Sequence, residues 1–356
     1  MRYLSTRAAA WAGSIAVVTV LAAVLALGAG IPQGWDAVTE VRTSVFPPDA
    51  RPQNVLVAGA HVFATALEAN TIVALDQTGT VLGKVVSEGP LLAAATDETG
   101  GCVYALSLDP PEIIVIDAAE VRESRRASLP HAPRSMHVRG TTGYICRFRD
   151  PMVDVLDLSS LQVQGTIPVT AWPIKSTVLG GRLFVSCGKM MFESGYELVP
   201  GTVDIIDLDS TQVTSTVTIS GAYPSAIVSD GQRYVYVAAL EGALRPLQRI
   251  DADRGQLDAD FAVPIEGRPY DMVLDPVRGM IYLSCTGREA HLVAVSIAEK
   301  RQTGSLRAGD VGIAACRDAN GSITQLLVAD PSAHSIAIVD PDDIPYDPLR
   351  EAVEAK

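Results

Sequence analysis

From Pro52 to Asp340 the chain alternates short apolar runs with clusters of Gly, Pro and Asp, in an order that repeats. Each unit opens with an apolar run beside a proline. A β-branched and aromatic run follows, such as Tyr234-Val-Tyr-Val-Ala238 or Ile281-Tyr-Leu-Ser284. A third run ends in Asp, as in Ile113-Ile-Val-Ile-Asp117. β-branched and aromatic residues fit a pleated, buried surface, and the turn-forming residues between them separate one strand from the next. That composition excludes helical repeats.

Two markers count the units. Pro52, Pro90, Pro133, Pro173, Pro224 and Pro269 open six first strands, with Asp310 in the seventh place. Asp76, Asp117, Asp157, Asp207, Asp251, Ser296 and Asp340 close seven third strands. The two sets drift together at spacings of roughly 40 to 50 residues, which is the signature of a β-propeller. The expectation is an all-β, seven-bladed propeller of four-stranded blades over residues 35–341, as one domain. Each closing Asp is expected to stabilise a hairpin turn by accepting hydrogen bonds from the backbone that follows it.

The seventh unit offers only three strands, near Val311–Cys316, Thr324–Asp330 and Ser335–Asp340, before Pro341 and Pro345 stop the sheet. Val38–Val45 alternates and has no partner of its own. It is expected to supply the missing outer strand of the last blade and so latch the ring. Residues 342–356 form a polar tail.

Residues 1–34 read differently. Arg2 and Arg7 precede a run from Ala8 to Ile31 without a charged residue, ended by Pro32 and Gly34. A cleaved signal needs an apolar run of only about 7 to 15 residues, whereas a bilayer-spanning helix takes about 20. Length favours one hydrophobic helix retained as an anchor, basic end inside, with an extracytoplasmic propeller at the cell membrane. The small residues Ala26, Gly28 and Ala29 leave cleavage open, which would make the protein secreted or periplasmic. Either way the propeller is exported.

Hydrophobic residues make up 48% of the chain and aromatics 5%, so the core must be built mainly from Val, Ile, Leu and Ala. Five cysteines are an odd number for an exported chain. Cys187 and Cys285 hold equivalent places two units apart, too far to bridge. Most of the five are expected to be small buried side chains, with a pair across neighbouring blades, such as Cys285 with Cys316, left open.

Tyr234-Val-Tyr-Val-Ala-Ala239 followed by Gln248-Arg-Ile-Asp251, and Val203-Asp-Ile-Ile-Asp207 followed by Val213-Thr-Ser-Thr-Val-Thr-Ile219, resemble the YVTN-type β-propeller repeat. The resemblance covers residues 50 to 340 and implies the fold. It also implies kinship with surface-associated, periplasmic and lactonase-like propellers. Asp230-Gly231 keeps the hairpin turn of that repeat, which most other units have altered.

A net charge of −13 argues against nucleic acid as a partner. None of the five histidines has metal-box spacing. His291 and His334 fall in equivalent connections of the sixth and seventh units and are candidates to approach each other. Gly-x-Ser-x-Gly and a phosphate-binding Gly loop are both absent. No metal and no cofactor is expected.

The residues beside the prolines are different in kind. Arg51, Arg134, Trp172, Lys175, Tyr223, Arg268, Tyr270 and Asp271 would meet at one mouth of the propeller and form a basic, aromatic site in an acidic body. An insertion at 188–200, carrying Met190, Met191, Phe192 and Tyr196, falls on the same face. Solvated loop charges and a drifted loop would produce the same pattern. The functional expectation is a binding or scaffolding module for an envelope protein or an anionic or aromatic small ligand. The alternatives are a purely structural envelope protein and a hydrolase or lactonase-like enzyme, the latter centred on Asp271 and His137 with a divalent ion.

Overall fold

The uninterrupted apolar runs of the inner strands follow from burial on both faces. In Pro111–Asp117 the five residues from Ile113 back to Glu112 and on to Ile116 are all buried. Successive side chains of a strand point to opposite faces. Ile113 and Val115 therefore pack with Ile145 and Leu156 on one side, while Ile114 and Ile116 pack with Phe63 and Ile72 on the other. Outer strands read differently: Arg122–Ser128 is largely exposed.

This computed structural model describes residues 51–189, 198–287, 291–309 and 311–345. They form a seven-bladed β-propeller. Six sheets have four strands in simple sequence order, and the seventh has three, Ile313–Arg317, Ile323–Asp330 and Ser335–Val339. The first strands of the other blades are Pro52–Ala58, Leu91–Thr96, Pro133–Arg139, Pro173–Leu179, Ala222–Ser229 and Arg268–Asp275. Helical structure among the described residues is limited to one short 3-10 turn, Pro341–Asp343, whose cap Asp340 accepts from the Asp342 N–H.

The core is divided as the blades are. Seven clusters each join two neighbouring sheets, and the cluster that joins the last sheet to the first packs Val55 and Ala64 with Ala314 and Leu327. At that junction the Gly312 N–H donates to the Gln53 carbonyl at 3.1 Å. A Cβ on Gly312 would lie 2.7 Å from that same carbonyl oxygen, so the close approach requires glycine.

The closing carboxylates act in turns, as expected. Asp117 accepts from the Ala119 and Glu120 N–H groups, Asp207 from Ser210, and Asp251 from Asp253 and Arg254. Ser296 substitutes by accepting from the Glu299 N–H. The same device recurs in first hairpins, where Asp230 accepts from three successive backbone N–H groups.

No cysteine is disulfide-bonded, and four of the five are buried. Cys285 and Cys316 do not pair because they serve different junctions, Cys285 between the fifth and sixth blades and Cys316 between the seventh and first. Burial pushes the Cys146 thiol up to about 11 and the Cys285 thiol up to about 12, which leaves both inert as nucleophiles.

The strand expected at 38–45, the apolar segment 8–31, Asp310 and residues 346–356 lie outside the described residues. Among the described residues no helix is long and apolar enough to cross a membrane.

The turn carboxylates carry a pH signature. Hydrogen bonds from the Ser159 hydroxyl and the Ser160 N–H and hydroxyl hold the Asp157 carboxyl down at about 2. A depressed folded pKa stabilises the protein above the unfolded value near ~3.9 and loses that effect as pH falls toward the folded one. The stability gap between wild type and Asp157→Asn should be flat above about pH 4 and shrink between about pH 4 and 2. Urea melts across that range measure it; a gap that widens on acidification contradicts the turn assignment.

Candidate functional site

Six of the seven first strands carry a β-bulge, one residue after the marker proline in five of them and after Leu91 in the second. The register skips Gln53, Leu92, Arg134, Ile174, Ser225 and Tyr270. A proline at a strand's start has no N–H to add to the ladder. The extra residue of a bulge is left unpaired and its side chain is re-aimed. All six bulge residues line one cavity of about 210 Å³ at the mouth of the channel. The seventh blade reaches it through Gly312.

Five of the eight residues read from the sequence line this cavity: Arg134, Lys175, Tyr223, Tyr270 and Asp271. The other three do not. Arg51 pairs with Glu68 at 3.4 Å. Arg268 pairs with Glu241 in a separate shallow groove. Trp172 lies under the Lys189 ammonium, 5.2 Å from its ring centre. The expected basic character is therefore largely cancelled, since three of the four cations face carboxylates. Residues 190–197 of the insertion lie outside the described residues.

Two bridges cross the mouth between blades that are not neighbours. Lys175 Nζ of the fourth blade meets Asp271 Oδ1 of the sixth at 2.5 Å. Arg134 of the third donates to the Tyr223 hydroxyl of the fifth. The Arg134 guanidinium also lies 5.7 Å and 5.8 Å from the ring centres of Phe148 and Tyr223. Among the described residues no carboxylate pairs with Arg134.

Tyr223 is held at φ +53°, a left-handed conformation that costs a bulky residue roughly 1–2 kcal/mol. It packs with Ile174, Leu240 and Tyr270 in a small apolar cluster separate from the blade junctions. Strain retained in a cavity wall, with a hydroxyl that receives a guanidinium, is a mark of a functional position.

Buried polar side chains hold the loops that carry these residues. Asp204 accepts from the Thr170 N–H at 2.6 Å, and Gln248 both accepts from the Ser220 N–H and donates to its carbonyl, each at 2.8 Å. Gln302 accepts from the Glu266 N–H at 3.0 Å. In the third blade Asp154 faces His131 at 3.5 Å and accepts twice from Arg147. Each brace ties an inter-blade connection to the sheet that follows it.

The acid–base centre expected from the enzyme alternative does not assemble. Asp271 is engaged by Lys175, and His137 does not line the cavity. Burial pulls the His137 pKa below the usual imidazole value. Among the described residues no group of three or more His, Cys, Asp or Glu is placed to hold a metal. His291 Nε2 sits 3.2 Å from the Glu266 carbonyl, and His334 occupies a left-handed turn position.

Sequence reasoning missed Gln53, Leu92, Ile174 and Ser225. They are neither charged nor aromatic, and only their place near the start of a first strand marks them. Ser135, Met136 and Ser176 also line the cavity and carried no such mark.

No family model matches the chain, and no curated protein matches it in sequence. Among solved structures it is similar to a chain titled Kuenenia stuttgartiensis hydrazine synthase. That match has a TM-score of 0.68 at 16% identity and covers 87% of this chain and 99% of that one. It is also similar to a chain from a mitotic checkpoint complex, with a TM-score of 0.70 at 11% identity, covering 98% and 100%. Identities this low show the propeller fold alone.

The loop braces make a prediction. Asp204→Ala leaves the Thr170 N–H and the Thr170 and Thr216 hydroxyls without their acceptor. It should cost about 1–3 kcal/mol in urea unfolding. Asp204→Asn, which keeps an oxygen acceptor, should cost less. Equal losses for the two variants would contradict the bracing role.

Proposed function

We propose that the protein is an exported, membrane-tethered β-propeller whose mouth cavity binds a small organic ligand, with the blades as its scaffold. The carrying observation is convergence: the bulge residues of six blades line one cavity, and one wall residue, Tyr223, is held at a positive φ. The lining mixes apolar side chains, Leu92, Ala93, Ala94, Met136 and Ile174, with convergent polar ones, Gln53, Asn54, Arg134, Lys175 and Asp271 among them, which offers a small organic molecule both kinds of contact. The repeat pattern's likeness to YVTN-type envelope propellers accords with this reading.

The test is a thermal-shift panel of small acids, amides, alcohols and amines on the purified full chain, run beside Ser176→Phe. That substitution adds a ring to a residue of the cavity wall beside Lys175. At least one class should raise the wild-type Tm and none should raise that of the folded variant. Shifts of equal size in the variant, or no shift in the wild type with any class, would sink the proposal.

Export and tethering rest on the charge-free run from Ala8 to Ile31 behind Arg2 and Arg7. The latch rests on the seventh sheet, where three strands are described against four in every other sheet. A truncation pair separates the two. Removing residues 1–34 should release the protein from the membrane fraction without changing its Tm. Removing residues 1–46 should also strip the last blade of its fourth strand and lower the Tm by several degrees, about 2–4 °C for each kcal/mol lost. A membrane-bound shorter truncation refutes the anchor; an unchanged Tm in the longer one refutes the latch.

A further inference from the structure

We infer that the ligand of the mouth cavity is a small organic monoanion, a monocarboxylate gripped by Arg134. This rests on the reading that the cavity is the working site, and it follows from the charges in its wall. Among the described residues, the formally charged side chains lining the cavity are Arg134, Lys175 and Asp271. Lys175 and Asp271 are in contact and present no net charge to a third group. Arg134 is bonded to a neutral hydroxyl and flanked by two rings, none of which neutralises a guanidinium.

Among the described residues one positive charge therefore remains in a partly enclosed space, where Coulombic interactions are stronger than in bulk water. A monoanion matches it. A dianion brings a second negative charge into a wall already holding the Asp271 carboxylate, and a neutral ligand leaves the guanidinium unmatched. Arg134 suits a carboxylate because its planar fork offers several donors, one of which Tyr223 takes. The apolar side of the ligand is met by Leu92, Ala93, Ala94 and Ile174, and the amides of Gln53 and Asn54 add neutral polar contacts.

The Lys175–Asp271 bridge thus sets ligand valence, and its two halves make opposite predictions. The experiment is calorimetric titration of the full chain at neutral pH with three para-related probes: benzamide (neutral), benzoate (monoanion) and terephthalate (dianion). Wild type should bind benzoate at least about tenfold more tightly than either of the others, the scale of one charge-assisted contact. Arg134→Met should abolish the preference for benzoate over benzamide. Asp271→Asn releases the Lys175 charge and should shift the ranking toward terephthalate. Lys175→Met leaves Asp271 to offset Arg134 and should bring benzoate down to the level of benzamide.

Because the last two variants move in opposite directions, loss of folding in one cannot imitate the result. Equal binding of benzamide and benzoate by wild type, or an unchanged ranking in both bridge variants, overturns the inference. So does failure of all three probes to bind; if other panel members still bind in a way Ser176→Phe abolishes, the cavity reading survives that failure. Probe binding that persists in Ser176→Phe would sink the cavity reading itself.

Discussion

Everything in this molecule depends on strands that are apolar on both faces. A strand such as Pro111–Asp117 cannot lie on the surface of a two-layer sandwich, because neither side of it tolerates water. It must have a sheet against each face. Repeating that requirement around a ring produces seven junction cores, each shared by two neighbours and none belonging to a single blade. Apolar area removed from water at about 25 cal/mol per Å² is the dominant favourable term. Here it is spread evenly around the ring, so the stability of one blade is inseparable from that of the next.

The same geometry produces the mouth. First strands run side by side around the axis, and in six of the seven blades a bulge near the strand's start takes one residue out of the ladder. Neighbouring strands are then tied at this level by bonds that skip the sheets: Ser135 donates to the Ile174 carbonyl and Ser225 to the Pro269 carbonyl. Polar braces from Asp204, Gln248 and Gln302 fix the connections leading in. The cavity wall is thus rigid because of hydrogen bonds, while the blades are rigid because of packing. The two kinds of constraint occupy different depths of the same strands.

Blade number, strand content and the work of the closing carboxylates were legible in the sequence because they depend on local periodicity and turn chemistry. Half of the mouth was legible as well. Arg134, Lys175, Tyr223, Tyr270 and Asp271 stand next to the prolines that mark each unit, so their radial position followed from the repeat. Their partners did not. Lys175 finds Asp271, and Arg134 finds Tyr223, across the channel between blades that are not adjacent, a relation with no sequence spacing to reveal it. Arg51 and Arg268 also stand beside those prolines, but they pair with Glu68 and Glu241 and do not line the cavity. The bulge residues Gln53, Leu92, Ile174 and Ser225 went unnoticed because register is a property of two strands, and reading one strand at a time conceals it.

The six bulge positions are equivalent in the fold and occupied by six different side chains, with bare backbone at Gly312 in the seventh place. A sevenfold scaffold has thereby been turned into a wall with no rotational symmetry at all. Going around it in order, amide, isobutyl, guanidinium, sec-butyl, hydroxymethyl, phenol and hydrogen never repeat. Such a rim distinguishes clockwise from anticlockwise, so a molecule with one stereocentre presents unequal fits in its mirror forms. Discrimination between enantiomers is built into the rim by the divergence of the repeats.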